Sequence, residues 1–244
     1  MRALRLHSSG LKVDDIEMPS PGDGEVLVRV HAAAITRNEL TWPRDRLPAI
    51  VSHELSGVAV DTGEEVFALT PFDTEGVAAE YAVVPTTVLA PKPASLSHVE
   101  VAALPMGGLS AWQALFEHGD LKRGERVIVT GASGGVGHLA VQLARHAGAR
   151  VVDEQPADLV FDTVGGTLPA GARVVTIAAE APGAEYFIVE PNAKQLAEIA
   201  RLADAGAVRP EVDSTFALEQ GQEAFERVAA RGKHGKVVFD VAGE

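Results

Sequence analysis

The sequence predicts an α/β protein. Two observations carry that prediction. The first third reads as short strands broken by turn residues, and from about Pro91 onward apolar strands alternate with amphipathic helices. A third observation sharpens it: a glycine-rich turn, GASGGVG (131–137), sits between an apolar strand and a helix.

Taken in order, EVLVRVHAAAI (25–35) sets Val26, Val28 and Val30 against Leu27, Arg29 and His31, the alternation of a half-buried strand. GVAVD, EEVFAL and AAEYAVVP follow, punctuated by Gly, Asp, Thr and Pro, so this part is expected to be a mostly β, barrel-like region. SHVEVAALPMGGLSAWQALFEHG (97–119) reads as helix with a break around Pro105–Gly108, and Ser97 with Glu100 gives a capping-box pattern. RVIVT (126–130) is a short apolar strand. The helix after it repeats Leu139, Val141, Leu143 and Ala144 at helical spacing, and Gly148 ends it. ARVVTIAA and EYFIVE read as further strands, AKQLAEIARLADAG as a helix, and the tail from Val208 as strand, helix, strand.

Composition narrows the class. A chain of 244 residues that is 46% hydrophobic can bury a real core, in one large domain or two small ones. It has no cysteine, which excludes disulfides and thiolate metal sites. No apolar run has signal-peptide or membrane-spanning length, so a cytoplasmic protein with no membrane partner is expected. A net charge of −13 repels phosphate backbones, and nucleic acid is not expected as a partner. One bound dinucleotide is compatible with that charge, because a helix N-terminus acts at close range.

Gly131, Gly134 and Gly137 stand where a strand turns into a helix. Small residues there allow the tight turn, the approach of a pyrophosphate to the backbone, and close helix–strand packing. Gly131, Ala132, Ser133, Gly134, Gly135, Val136 and Gly137 are therefore the candidate cofactor cradle.

With these residues in place the chain resembles the medium-chain dehydrogenase/reductase superfamily, in its zinc-independent, quinone-oxidoreductase-like (zeta-crystallin-like) branch. The resemblance runs through PGDGEVLVRVHAAAITRNEL, SHELSGV, EEVFALTPF, GVAAEYAVVP, LAPKPASLSHVEVAALPMGGLSAWQAL, VIVTGASGGVGHLAVQLARHAGA, DLVFDTVGG and HGKVVF. It implies a GroES-like β domain from residues 1–108 and 207–244, enclosing a shortened Rossmann-type parallel-sheet domain, 109–206. In zinc-dependent relatives a Cys, a His-Glu pair and a further Cys surround a metal. Here Thr36 takes the first cysteine position, His53 and Glu54 keep the pair, and Met106 falls near the last. One His and one Glu do not complete a zinc site, so no metal is expected. By the same resemblance Ser110 lies where a hydroxyl approaches the nicotinamide, and Thr36 and Asn38 lie on the loop facing that ring. Tyr81, Tyr186, His7 and His31 remain as proton donors, and the sequence singles out none of them as the general acid.

The sequence departs from the family after RVV (150–152). Only Asp153–Ala157 separate it from the next strand, DLVFD (158–162), where relatives carry helix, strand and helix. TLPAGA likewise replaces a helix after DTVGG, and the loop after SGV is short. If the strand order holds, the connection must cross roughly 20 Å, about what five stretched residues reach. The alternatives are a bare strap or a different, antiparallel pairing of RVV. Missing helices would leave apolar strand faces in water, to be covered by a second subunit, a homodimer being expected, or by a shifted loop. Asp153 lies near the spacing at which an acid accepts from a ribose hydroxyl, and Asp153 with Glu154 opposes a 2′-phosphate; the residues argue for NADH, the family for NADPH. The activity expected is reduction of a quinone or α,β-unsaturated carbonyl by hydride transfer, with a small-molecule substrate. The alternative is a non-redox enzyme, such as one of cyclisation or elimination, or a binding protein on a scaffold that has lost its dinucleotide.

Overall fold

Eleven residues, Glu25–Ile35, form the longest strand, β3, and the sheet is built around it. Its first half alternates between buried and exposed, as the sequence predicts. Its second half, from Val30 to Ile35, is buried on both faces. Ala33 and Ile35 join a core with Leu55, Val237 and Phe239, while Ala32 and Ala34 meet Ala102, Ala103 and Val238. Alanine there leaves room for a helix to lie directly on the strand. The computed structural model describes residues 1–167 and 171–243.

Before β3 come β1 (Arg2–His7) and β2 (Gly10–Asp15), an antiparallel pair joined later by β4 (Ala49–Ile50). After it come β5 (Glu54–Ala59), β6 (Glu65–Leu69), β7 (Tyr81–Pro85) and β8 (Ala90–Pro91). Helices α1 (His98–Ala102) and α2 (Pro105–Trp112) follow, the latter running on as a π-helical turn to His118. The Ser97 capping box forms. The break in this helical run lies at Ala103–Leu104, just ahead of the predicted one. Pro105 opens α2, where its missing N–H costs no hydrogen bond.

The second sheet contains β9 (Arg126–Val129), β10 (Arg150–Val151), β11 (Leu159–Asp162), β12 (Arg173–Thr176) and β13 (Glu185–Tyr186), in the order β10-β9-β11-β12-β13. Every pairing is parallel. Helix α3 (Gly137–His146) joins β9 to β10. EYFIVE pairs over only two residues before the chain leaves for α4 (Ala193–Asp204). The tail forms β14 (Val212–Phe216), α5 (Gly221–Ala229) and β15 (Lys236–Asp240), and β15 returns antiparallel to β3.

β10 and β11 lie on opposite sides of β9, both parallel to it, so the bare strap is the structure and the antiparallel alternative is excluded. Arg126 staples the strap: its guanidinium Nε donates to the Pro156 carbonyl at 2.5 Å, and its N–H to Asp158 at 2.8 Å. The expected exposed apolar face does not materialise. Val127, Val129, Leu159, Phe161 and Val175 share one core with α2, α3 and α4 residues. Val160 and Val174 point the other way by strand alternation, yet are 0% and 8% exposed. The chain buries them itself, without a second subunit. Part of the TLPAGA segment, residues 168–170, lies outside the described residues.

Candidate active site

Strand register assembles the first half of the site. β15 pairs with β3 through Val237↔Ile35, which sets Lys236 opposite Thr36. β5 pairs with β3 through Ala34↔Glu54, and Thr36 lies two residues on from Ala34, on the same face. Three neighbouring strands thus bring Thr36, Glu54 and Lys236 together, although they are separated by up to 200 positions. Lys236 Nζ donates to Thr36 Oγ1 at 2.9 Å and forms an ion pair with Glu54 Oε1. The other Glu54 oxygen accepts from Met106 N–H at 2.9 Å, at the start of α2. Thr36 Oγ1 also lies 3.2 Å from Met106 Sδ. Glu54 and Lys236 are buried and Thr36 is half-buried.

These positions do not fit a divalent cation. A hydroxyl, a thioether and a carboxylate already neutralised by an ammonium are what stands there, and the ammonium would repel the metal. Nor do the described residues bring together three or more His, Cys, Asp or Glu side chains able to hold a metal. His53 turns aside: its Nδ1 lies 3.1 Å from Thr70 Oγ1, and its ring packs edge-on to Phe72 and stacked on Trp42. Burial, then the Arg44 charge, pushes its pKa down to about 4.

Behind Thr36 lies a second buried acid. Glu39 accepts from Ser52 N–H at 2.5 Å and from Thr36 N–H at 3.1 Å. Burial raises its pKa to about 7 against those two hydrogen bonds. Asn38 next to it has a left-handed backbone, φ 65°, and opens the short helical turn Glu39–Thr41. Its side chain is exposed and makes no cap bond there. Ser110 is buried in α2, one helical turn beyond Met106 on the same face.

The glycine turn supplies the other half. Gly137 begins α3 where a Cβ would run into the Gly131 carbonyl, so only glycine allows the closed turn. A Cβ on Gly107 of α2 would strike Gly135 O, so α2 rests directly on the turn. Gly134 pairs with Gly235, and a Cβ on Gly135 would come within 2.7 Å of Lys236 Cδ. The turn therefore touches the Thr36–Glu54–Lys236 cluster through Lys236. His138 locks this junction. Its Nε2 accepts from Glu211 N–H at 3.0 Å, so Nδ1 carries the proton and donates to Gly134 O at 2.7 Å. Burial, outweighing the Gly134 bond, lowers its pKa and keeps the ring neutral. Ala132 and Ser133 are exposed on the turn, and Val136 is half-buried.

Asp153 is exposed at the start of the strap, beyond the end of β10. Asp162, at the end of the central strand β11, ties it to both neighbours: it accepts from Thr130 Oγ1 just past β9 at 2.7 Å and from Thr176 Oγ1 of β12 at 2.9 Å. The residues that sequence reasoning missed are Lys236, Glu39 and His138. Lys236 had a signal in HGKVVF, a lysine entering an otherwise apolar strand. The four proton-donor candidates scatter: Tyr81 on β7, Tyr186 on the edge strand β13, His7 against Asp14, and His31 tilted against His98 with ring centres 4.2 Å apart.

The fold and the site together define a class of protein, and comparison with known proteins agrees with it. The family profile described as zinc-binding dehydrogenase matches residues 138–239. The chain is 32% identical to the chloroplastic quinone-oxidoreductase homolog of Spinacia oleracea, over 87% of this chain and 75% of that one. It is 27% identical to the mitochondrial NAD(P)H oxidoreductase RTN4IP1 of Homo sapiens, over 89% of this chain and 82% of that protein. That match extends over 323 positions against the chain's own 244, so the human protein carries segments this chain lacks. Among solved structures, an alcohol dehydrogenase superfamily protein from Novosphingobium aromaticivorans superposes with TM-score 0.89 at 25% identity, covering 99% of both chains. The chain belongs to the medium-chain dehydrogenase/reductase superfamily, in its quinone-oxidoreductase-like branch.

Proposed function

We propose that this protein is an NAD(P)H-dependent reductase that delivers hydride to the electron-poor carbon of a quinone or an α,β-unsaturated carbonyl, without a metal. The observation that carries the reading is the junction of the glycine turn with the Thr36–Glu54–Lys236 cluster through Gly135 and Lys236. The nicotinamide supplies the hydride when bound. The closed glycine turn at the start of α3 suits its pyrophosphate: a Cβ on Gly131, Gly135 or Gly137 would strike Thr163, Lys236 or the Gly131 carbonyl, so glycine keeps the turn tight at the helix N-terminus. In a chain of net charge −13, Lys233 sits beside this turn with Lys236 and Arg37 close enough to oppose its charge, a local concentration of cations that suits a phosphate pair. Ser110 and Thr36 face the reacting end of this reading; Asn38 supports the loop that carries Thr36.

Asp153 with Glu154 supports NADH over NADPH, because two carboxylates after β10 repel a 2′-phosphate. The exposed Tyr186 and Ile188, 38% and 64% accessible beside the edge strand β13, support a homodimer. The lack of cysteine suits a cytoplasmic setting, and no helix among the described residues is long and apolar enough to cross a membrane. The test is titration of the purified protein with NADH and NADPH, followed by nicotinamide fluorescence or heat. Saturable binding with NADH the tighter ligand is expected. No binding of either at millimolar concentration would overturn the reductase reading.

A further inference from the structure

One proton in the cluster has only weak acceptors. Thr36 Oγ1 accepts from the Lys236 ammonium at 2.9 Å. Its own proton reaches only Glu54 Oε1 at 3.4 Å or Met106 Sδ at 3.2 Å. The first distance is long beside the ~2.7 Å of a good O–H···O bond, and that oxygen already holds the ammonium. The second Glu54 oxygen is taken by Met106 N–H, and a thioether is a weak acceptor. Thr36 is thus a half-buried hydroxyl, polarised by a cation behind it, whose own proton rests on weak acceptors that a substrate carbonyl oxygen can outcompete.

We propose that Thr36 is the proton donor to the substrate carbonyl oxygen, and that Lys236 positions and recharges it. The assignment rests on the reductase reading above. When the β-carbon gains hydride from the nicotinamide, the C=C electron pair shifts toward the carbonyl carbon and the C=O pair moves onto oxygen. That oxygen takes the Thr36 proton as the Thr36 O–H bond breaks. Thr36 Oγ1 takes a proton from Lys236, and the product leaves as the enol; for a quinone that enol is a tautomer of the hydroquinone, reached when the carbon that gained the hydride gives up a proton to water and the second carbonyl oxygen takes one from water. Lys236, left neutral beside Glu54, regains its proton from water. Lys236 does the job a metal does elsewhere: it places positive charge at the developing oxyanion.

The test uses the cofactor-free protein and 4-(dimethylamino)cinnamaldehyde, an enal whose absorption moves to the red as its carbonyl is polarised. Wild type and T36S are expected to shift the dye to the red, and T36V to lose the shift. K236M alone strands Glu54, so the double variant K236M/E54Q removes both charges; it too is expected to lose the shift, while K236R keeps part of it. With cofactor and quinone present, kcat in T36V is expected to fall about 10- to 100-fold with KM nearly unchanged, and T36S to restore it. An unshifted dye with wild type at millimolar concentration, or an equal shift with T36V, overturns the assignment. The dinucleotide titration reads separately. Cofactor binding without a dye shift removes Thr36 as donor and leaves the reductase reading standing; a dye shift without cofactor binding overturns the reductase reading and the donor assignment with it, and leaves Thr36 only as a carbonyl-binding hydroxyl.

Discussion

Two of the places where this chain departs from the family pattern it resembles are filled in opposite ways. At the His53-Glu54 pair, deep in the fold, a buried carboxylate meets a buried ammonium from the other end of the chain: Glu54 and Lys236. At the crossover between β10 and β11, on the surface, nothing replaces the missing elements but a strap that Arg126 pins at Pro156 and Asp158. The interior case is governed by desolvation. A carboxylate out of water needs a counter-charge, and losing one partner leaves the other stranded. The surface case is governed by distance. Backbone exposed to water finds its hydrogen bonds there, so a connection need only be long enough.

The comparison can be broken most forcefully at Lys236. K236M is expected to destabilise the fold by about 3–5 kcal/mol in urea titration, because Glu54 is then a buried unpaired charge. K236M/E54Q is expected to recover most of that. Equal losses in the two variants would mean that the ion pair does not govern this region.

Next in size is a pH effect. Glu39 titrates near 7 in the fold against an ordinary value of 4.5, so the native state holds its proton longer than the unfolded chain. Its contribution is present below pH 4.5 and is lost as pH rises toward 7, by about 3 kcal/mol. His53 runs the other way: its contribution is present above 6.5 and lost as pH falls toward 4, again by about 3 kcal/mol. The two windows overlap, and the contributions nearly cancel in the wild type. E39Q is expected to reveal a stability that rises from pH 4 to 6.5, and H53N one that falls between pH 4.5 and 7. Denaturation series across that range check both, and parallel profiles in all three proteins would sink the account.

The smallest effect is expected at the strap. Five Gly/Ser residues inserted after Glu154 roughly double its length, and loop-closure entropy then costs only about 0.6 kcal/mol. A loss of several kcal/mol would show that the strap acts as more than a tether.

Much of this was legible in the residues. The β3 alternation, the glycine turn after an apolar strand, the capped helix at Ser97 and the bare strap each follow from local pattern or chain length. The burial of Val160 and Val174 was not legible: periodicity shows which strand residues are apolar, and says nothing of what lies above them. Thr36 and Ser110 became candidates by position in a resembling pattern. Lys236, Glu39 and His138 were missed because each works on a partner from another segment, as His138 does in joining Gly134 to Glu211.

By itself, then, the sequence determined the elements, the glycine turn and the shortness of the crossover, because helices, strands and turns are set by neighbours a few residues apart. Only the tertiary structure decided the site. The pairing of β15 with β3 sets Lys236 opposite Thr36 across 200 positions of chain. Burial in the same stroke makes a lysine and a glutamate into a charge pair that touches a hydroxyl. Strand register and desolvation are properties of the folded chain, and no local pattern encodes them.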